Sequence, residues 1–231
     1  QIMMGHALPY AGPMVEAAGY TTTQNLLAYE FNPDFETPKV MARLVQRASK
    51  QVRVRPFNSK NKAADLEVMR EIFNDAWSQN WGYVPWTDAE FKEIGELITL
   101  LMDDDLIQIA EVDGRPVAFA VAMPNVNEAA RDINGRLFPF GWLKLLWRLK
   151  VRFPKSARVP LLGVLKEYQH TRLGPSLAFM VTDRLKESLL KRGVTSVEMS
   201  WILEGNDGMR NIIETIGGVA YKRYRVYQKE L

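Results

Sequence analysis

The chain has 231 residues, of which 47% are apolar, 25% charged and 10% aromatic, which is typical of a globular protein and excludes disordered, collagen-like and coiled-coil chains. Its 30 basic and 27 acidic residues give a net charge of +3, too weak to indicate nucleic-acid binding. Because cysteine is absent and the only histidines are His6 and His170, far apart, we predict no disulfide, no thiol nucleophile and no metal site.

Residues 1–35 form a separate unit in the sequence pattern, in which a short helix, a glycine and a strand follow one another. The chain ends in the same order, and the two stretches align without a gap. We therefore interpret residues 1–35 as the last helix and strand of a preceding, related half-domain; a coincidental helix–strand unit is the alternative. Residues 36–50 are predicted to be a helical linker. Since the chain begins with Gln1, we expect it to belong to a longer protein.

The pattern of a full domain begins near residue 51 and continues to residue 231. A strand is predicted over 52–56 and helices over 64–77 and 87–102, the second with Thr87 as its N-cap and Glu90 completing a capping box. Two apolar strands follow, joined by Asp113-Gly114, a strong signal for a hairpin.

The second half of this domain alternates helices and strands. The predicted elements are a helix over 140–153, a strand over 159–164, a helix from 174 or 175 to about 193, a strand over 196–203, a helix over 207–216 and a strand over 221–229. Hairpin strands are thus mixed with crossovers, which predicts a mixed α/β fold.

The segment LLGVLKEYQHTRLGPSL (161–177) takes a buried strand through a short loop into a helix. Such a loop presents free backbone N–H groups at the positive end of the helix dipole, which suits a diphosphate. In this loop and in SWILEGNDGMRNIIETIGG (200–218) the sequence resembles the GCN5-related N-acetyltransferase (GNAT) superfamily. It is also similar to a bacterial GNAT-like branch that carries a phrase like NGRLFPF (134–140) and a terminal YKRYR (221–225).

The resemblance implies a GNAT-type fold, a central mixed sheet with helices on both faces, and an acyl-CoA-dependent N-acyltransferase. Acetyl-CoA or another acyl-CoA is the implied co-substrate, with no metal, and the implied acceptor is the amine of a small molecule. The coenzyme-binding positions carried over from the family are Leu162, Gly163, Val164 and Leu165 beside the thioester, Gln169, His170, Thr171, Arg172, Leu173, Gly174 and Ser176 in the diphosphate loop, and Asn206. Asn206 has a simpler interpretation as the cap of the last helix.

Three positions depart from the family pattern. Arg172 replaces the first loop glycine, where it either contacts a phosphate or fills the pocket, and Pro175 removes an N–H donor. Ile213 occupies the position of the usual tyrosine acid. These departures leave open a second interpretation, a degenerate GNAT-fold protein that binds a ligand or partner without acyl transfer.

Acyl transfer to an amine needs a base, donors for the oxyanion and an acid for the leaving thiolate. The sequence offers Glu198 and Glu204 as base candidates, although each alone is more simply explained as a solvated charge at a strand edge. Strand alternation predicts Glu198 and Ser200 on one face and Trp201 on the other. Tyr221, Tyr224 and Tyr227 of the last strand are the candidate acids, of which Tyr224 is taken as the site residue, and packing is the simpler role for each.

The segment 140–153 is basic and amphipathic. We favour a helix that packs on the sheet through Trp142, Leu145, Leu146, Leu149 and Phe153. Contact with a membrane surface is the weaker alternative.

The sequence shows no transmembrane run and no signal peptide, so we expect a cytoplasmic protein. The sequence leaves open whether the protein forms a homodimer.

Overall fold

The structure, a computed structural model, describes residues 4–230, apart from the side chains of Leu97, Ile98 and Leu100. Its helices in chain order are α1 (Ala11–Ala17), α2 (Lys39–Ala48), α3 (Lys62–Trp77), α4 (Asp88–Leu101), α5 (Val126–Ala130), α6 (Gly141–Trp147), α7 (Lys166–Gln169), α8 (Gly174–Lys191) and α9 (Asp207–Thr215). Its strands are β1 (Thr21–Phe31), β2 (Val52–Pro56), β3 (Ile107–Val112), β4 (Arg115–Pro124), β5 (Ser156–Val164), β6 (Ser196–Leu203) and β7 (Val219–Gln228).

All seven strands belong to one sheet in the order β2-β3-β4-β5-β6-β1-β7. Only β5 and β6 run parallel, and every other neighbouring pair is antiparallel. Helix α8 packs against β3, β4 and β5, while α3 packs on β4 and β5. The predicted mixed α/β fold is confirmed.

Two local predictions are confirmed at atomic detail. The backbone N–H of Glu90 donates to Thr87 Oγ1 at 3.3 Å, and the Thr87 N–H donates to a Glu90 carboxylate oxygen at 3.1 Å, which is a complete capping box. The turn between β3 and β4 has φ of 51° at Asp113 and 81° at Gly114. Both residues lie in the left-handed region that two-residue hairpin turns of this kind need, and Asp and Gly tolerate it best.

Strand β1 comes from the N-terminal unit yet lies inside the sheet, between β6 and β7 and antiparallel to both. The N-terminal unit therefore completes the sheet that residues 52–228 begin. The descent of this unit from a preceding, related half-domain stays a prediction.

The parallel strands β5 and β6 pair only over their first four residues, from Ser156 opposite Ser196 to Val159 opposite Met199. The ladder between β4 and β5 has a register shift at Val121/Met123, and Pro160 follows Val159 in β5. A proline has no N–H to give to a ladder, so β5 and β6 separate from this point. A gap between two strands thus opens toward their carboxyl ends.

The predicted alternation along β6 is wrong beyond Ser200. Ala28 of β1 pairs with Ser200 and Leu27 pairs with Ile202, so Trp201 is the extra residue of a β-bulge. The indole ring of Trp201 contacts the ring of Tyr224, with 6.3 Å between the ring centroids. A bulge adds one residue to a strand and so interrupts the alternation of side chains between the two faces of the sheet. A prediction from strict alternation does not include such an extra residue.

The helix predicted over 140–153 is shorter and less covered than expected. Helix α6 ends at Trp147 and a π-helical turn (Arg148–Arg152) follows it. Leu149 and Phe153 are buried, but Trp142 and Leu146 are exposed. The preferred interpretation, packing of the whole apolar face on the sheet, is therefore wrong for Trp142 and Leu146.

Candidate functional site

The loop predicted to bind a diphosphate is built differently from a plain strand–loop–helix turn. Helix α7 is inserted directly after β5, and α8 begins at Gly174. A Cβ at Gly174 would lie 2.5 Å from the carbonyl oxygen of Tyr168 and 3.0 Å from that of Gln169. Glycine is therefore required here for the close approach of two backbone segments.

Two of the N–H groups predicted to face the diphosphate already have partners in this loop. The Thr171 N–H donates to the Tyr168 carbonyl at 2.9 Å, and the Leu173 N–H donates to Thr171 Oγ1 at 3.2 Å. The N–H groups of Gly174 and Ser176 lie in the first turn of α8, where no intrahelical acceptor exists. They are the backbone donors that remain for an anion in that turn, since Pro175 has none.

The side chains of the loop point largely to solvent. His170, Thr171 and Arg172 are exposed, and the structure shows no ion pair between the Arg172 guanidinium and any described residue. Ser176 is buried, and its hydroxyl lies 3.4 Å from the Arg172 carbonyl. Of the two alternatives for Arg172, an exposed position favours contact with a phosphate.

The β5 edge of the gap carries two backbone carbonyls that accept hydrogen bonds from side chains. Trp77 Nε1, at the end of α3, donates to the Leu162 carbonyl at 3.1 Å. Gln169 Nε2 donates to the Val164 carbonyl at 2.8 Å. A carbonyl oxygen has two lone pairs, so each still has capacity for a second donor. Gln169, predicted in the diphosphate loop, thus contacts β5 through its side chain.

A narrow apolar cleft lies between α8 and α9, over β5 and β6 at the gap. Its walls include Val159, Leu162, Met199, Phe179, Ile212 and Ile213. Ile213 is fully buried there and belongs to the hydrophobic core. The residue that replaces the family's tyrosine therefore provides packing, and α9 brings no hydroxyl at this position.

A polar cluster with buried members at Arg158, Glu198 and Ser200 occupies the point where β5 and β6 separate. We call it the apex cluster; its members are Arg158, Glu198, Ser200, Tyr221 and Tyr224. Arg158 of β5 is opposite Glu198 of β6, with Nε 3.8 Å from the carboxylate. The Arg158 Nε donates to Ser200 Oγ at 3.1 Å, and Ser200 donates to Glu198 Oε1 at 2.8 Å.

Tyr221 reaches this cluster from the far side of β1. Its hydroxyl donates a hydrogen bond to Glu198 Oε2. Between the two strands lies Ala28, which is fully buried and pairs with Ser200 on one side and Lys222 on the other. The small Ala28 side chain leaves room for the tyrosine to cross over β1.

Glu198 is 1% exposed, so the simpler interpretation of this residue as a solvated edge charge is wrong. A buried carboxylate is retained only where partners compensate its charge, and Arg158, Ser200 and Tyr221 supply them. Glu204, the other base candidate, lies beyond the end of β6, roughly 20 Å along the strand direction from Glu198. It accepts from Asn25 Nδ2 at 2.8 Å and pairs with Arg223 at 3.2 Å.

Tyr224 lies close enough to Glu198 and Arg158, the charged members of the apex cluster, for both to affect its pKa. Burial and the nearby Glu198 carboxylate raise the pKa of Tyr224 above 10, and Arg158 partly offsets this. Within the described residues its buried hydroxyl has no hydrogen-bond partner. A buried hydroxyl without a protein partner is costly unless a water or a bound ligand accepts its hydrogen bond.

Burial also shifts the pKa values of Arg158 and Tyr221, two other members of the apex cluster. Burial lowers the pKa of Arg158, while the Glu198 charge opposes that change. Burial raises the pKa of Tyr221 well above 10, and its hydrogen bond to Glu198 adds to this. Both tyrosines therefore keep their protons to a higher pH than a solvent-exposed tyrosine does.

These raised pKa values predict a loss of stability in alkali. The unfolded chain loses its tyrosine protons near pH 10, while folded Tyr221 and Tyr224 keep theirs. Above about pH 10 the unfolded state thus binds fewer protons, so the free energy of unfolding decreases as pH rises. Urea denaturation from pH 8 to 11 measures this decrease in the free energy of unfolding. Tyr221→Phe should flatten the decrease, and the exposed Tyr10→Phe should not; equal slopes in all three proteins contradict the prediction.

Sequence reasoning named Glu198 and Tyr224, which the structure brings together, and Glu204, which it does not. It missed Arg158 as the buried partner of Glu198. The signal was present, because Arg158 lies inside an otherwise apolar strand, as Glu198 does. Asn206 caps α9 by accepting from the Met209 N–H at 3.1 Å. Its contact with the coenzyme stays a prediction.

No helix between residues 4 and 230 combines the length and the apolar character that crossing a bilayer requires. Over the same residues, no group of three or more histidine or acidic side chains is arranged to hold a metal ion.

Two curated proteins resemble the chain along its whole length. Protein YghO of Escherichia coli (strain K12) is 45% identical over 230 residues, which is 99% of the chain and 59% of that protein. Bacterial ceramide synthase of Caulobacter vibrioides (strain NA1000 / CB15N) is 41% identical over 231 residues, 100% of the chain and 60% of that protein. The chain thus spans about three fifths of the length of these relatives. No protein-family model matches the chain.

A solved structure extends the comparison to the fold. The crystal structure of a GCN5-related N-acetyltransferase from Sphaerobacter thermophilus superposes with a TM-score of 0.62 and 16% sequence identity. The alignment covers 96% of the chain and 56% of that protein. The mixed sheet with its helices agrees with the GNAT-type fold that the resemblance implied. The fold of the chain is therefore that of the GCN5-related N-acetyltransferases.

Proposed function

We propose that the chain is an acyl-CoA-dependent N-acyltransferase, which transfers an acyl group from the thioester to the amine of an acceptor. The observation that carries this proposal is the apex cluster: a buried, charge-compensated Glu198 beside the unpartnered Tyr224 hydroxyl, at the point where β5 and β6 separate. The acceptor amine, the acyl group and a cytoplasmic location are parts of the proposal.

Each member of the apex cluster has a role in this reaction. As the new N–C bond forms and the C–S bond breaks, the Glu198 carboxylate takes the proton of the amine, directly or through the hydroxyl of Tyr221. The Tyr224 hydroxyl gives its proton to the leaving sulfur. Arg158 and Ser200 hold the carboxylate in place, which makes them positioning residues.

The residues around the gap fit an acyl-CoA. Gly174 and Ser176 offer first-turn N–H groups for the diphosphate, with the exposed Arg172 beside them. The carbonyls of Leu162 and Val164 keep one lone pair each for the amide groups of the pantetheine arm. When bound, the coenzyme supplies the activated acyl group.

We propose further that the acyl group and the acceptor are long-chain molecules. A ceramide is the amide of a fatty acid and a long-chain amino alcohol, so the relative named bacterial ceramide synthase supports this acceptor class. The narrow cleft between α8 and α9 agrees with this class in its chemistry, because its walls are apolar.

Calorimetric titration and a thiol-release assay test the proposal. We expect coenzyme A thioesters to bind and raise the melting temperature, and we expect a fatty acyl-CoA with a long-chain amino alcohol to release thiol and form the amide, identified by mass spectrometry. Acetyl-CoA with small amines is the comparison arm. Faster reaction in that arm contradicts the long-chain proposal only. Binding without amide formation favours a degenerate GNAT-fold protein, and no binding at millimolar thioester rejects acyl transfer.

A further inference from the structure

The segment 131–153 connects β4 to β5 and presents an apolar surface to solvent. Phe138 is 83% exposed and Phe140 is 72% exposed. Four more large apolar side chains between residues 142 and 147 are also exposed: Trp142, Leu143, Leu146 and Trp147. Single exposed apolar residues are ordinary, but a contiguous group that includes four aromatic rings marks a binding surface. We call these six side chains the apolar patch.

The patch is held in place from beneath. Ile133, Leu149 and Phe153 are buried. Asp132 pairs with Lys144 at 2.7 Å and also with Arg148, which itself donates to the Ala129 carbonyl at 2.8 Å. The exposed rings are thus presented by an ordered segment rather than left over from a loose one.

The same segment carries the positive charge of the chain. Residues 131–153 contain six basic side chains and one acidic one, a net charge of +5, whereas the whole chain carries +3. All residues outside the segment therefore sum to −2. Arg131, Arg136, Lys144 and Arg152 are exposed around the patch. A large apolar surface bordered by basic side chains matches the boundary of an anionic bilayer, with apolar chains below negative headgroups.

We propose that the apolar patch and the basic side chains around it dock the protein on an anionic membrane surface. A second copy of the chain is a poor occupant, because two such faces would bring +5 against +5. The docking surface precedes Ser156 at the start of β5, while the diphosphate loop follows Val164 at its end. About nine residues of strand, roughly 25–30 Å, separate them, so docking leaves the loop in water.

Vesicle flotation with the purified protein tests this. Vesicles of phosphatidylcholine alone are compared with vesicles that also contain phosphatidylglycerol. We expect binding to the anionic vesicles only, and loss of that binding at about 1 M salt, where charges are screened beyond about 3 Å. Binding to neither vesicle, or equal binding to both at every salt concentration, overturns the proposal.

Matched variants locate the surface. Phe138→Ser/Phe140→Ser and Arg136→Glu/Arg152→Glu should each lower the partition coefficient about tenfold or more. The controls Tyr10→Ser/Val84→Ser and Lys39→Glu/Lys92→Glu change equally exposed positions elsewhere and should bind as the wild type does. Unchanged binding by both patch variants overturns the proposal, and so does a dimer, seen by ultracentrifugation, that Phe138→Ser/Phe140→Ser dissociates. Glu198→Gln should bind vesicles normally, so this test does not depend on acyl transfer.

Discussion

Glu198→Gln is expected to reduce the turnover number for acyl transfer by about 10²- to 10⁴-fold, the range of general acid–base catalysis. Glutamine keeps the size of the side chain and can still accept a hydrogen bond from Tyr221, but it cannot take a proton from the amine. Glu204→Gln is the matched control, since Glu204 pairs with Asn25 and Arg223 beyond the end of β6. Single-turnover kinetics measure both variants, and full activity of folded Glu198→Gln protein contradicts the proposed role.

The free energy of unfolding of variants at Arg158 and Glu198 gives a second test. Arg158→Met leaves a buried carboxylate without its cation and is expected to lower the free energy of unfolding by about 3–5 kcal/mol. In Arg158→Met/Glu198→Gln both charges are removed, so the loss should be smaller than the sum of the two single losses. The double variant should recover stability but not activity. Additive losses in urea denaturation would show that the two residues do not interact.

Tyr224→Phe is expected to lower the turnover number by about 10²-fold or more while leaving the protein as stable as before, or more stable by about 1 kcal/mol. The reason for this combination is that its buried hydroxyl has no partner in the described chain, so its removal breaks no internal hydrogen bond. Tyr227→Phe is the control in the same strand, where the hydroxyl lies 3.3 Å from the Glu16 carboxylate.

The two measurements separate the roles that Tyr224 could have. Lost activity with retained stability supports a proton donor. Lost stability with retained activity would identify a structural hydroxyl and contradict the assignment. Rapid quenching of the acyl-transfer step and chemical denaturation on the same preparation give both values.

The sequence predicted what local chemistry determines. The capping box at Thr87, the turn at Asp113-Gly114 and the bounds of β6 each depend on a few neighbouring residues, and the structure contains them all. The order of the predicted strands and helices, together with the loop motif, predicted the fold, because each element has its own pattern in the sequence.

What the sequence could not predict depends on distant partners. The burial of Glu198 requires Arg158, forty residues earlier, and Tyr221, which reaches it across β1. The bulge at Trp201 is set by the register with β1, a strand from the other end of the chain. The exposure of Trp142 and Leu146 escaped prediction because amphipathic spacing shows which face is apolar, not what covers it.

The position of β1 has a consequence for how the protein is made. Residues 21–31 are translated before the other strands, but both of their neighbours in the sheet, residues 196–203 and 219–228, are translated after every other strand of the sheet. The nascent strand β1 must therefore stay unpaired, and in need of protection from aggregation, until those two strands have been made. Pairing of β1 with β6 and β7 then completes the sheet through contacts between residues far apart in sequence, and we expect that step to limit the folding rate.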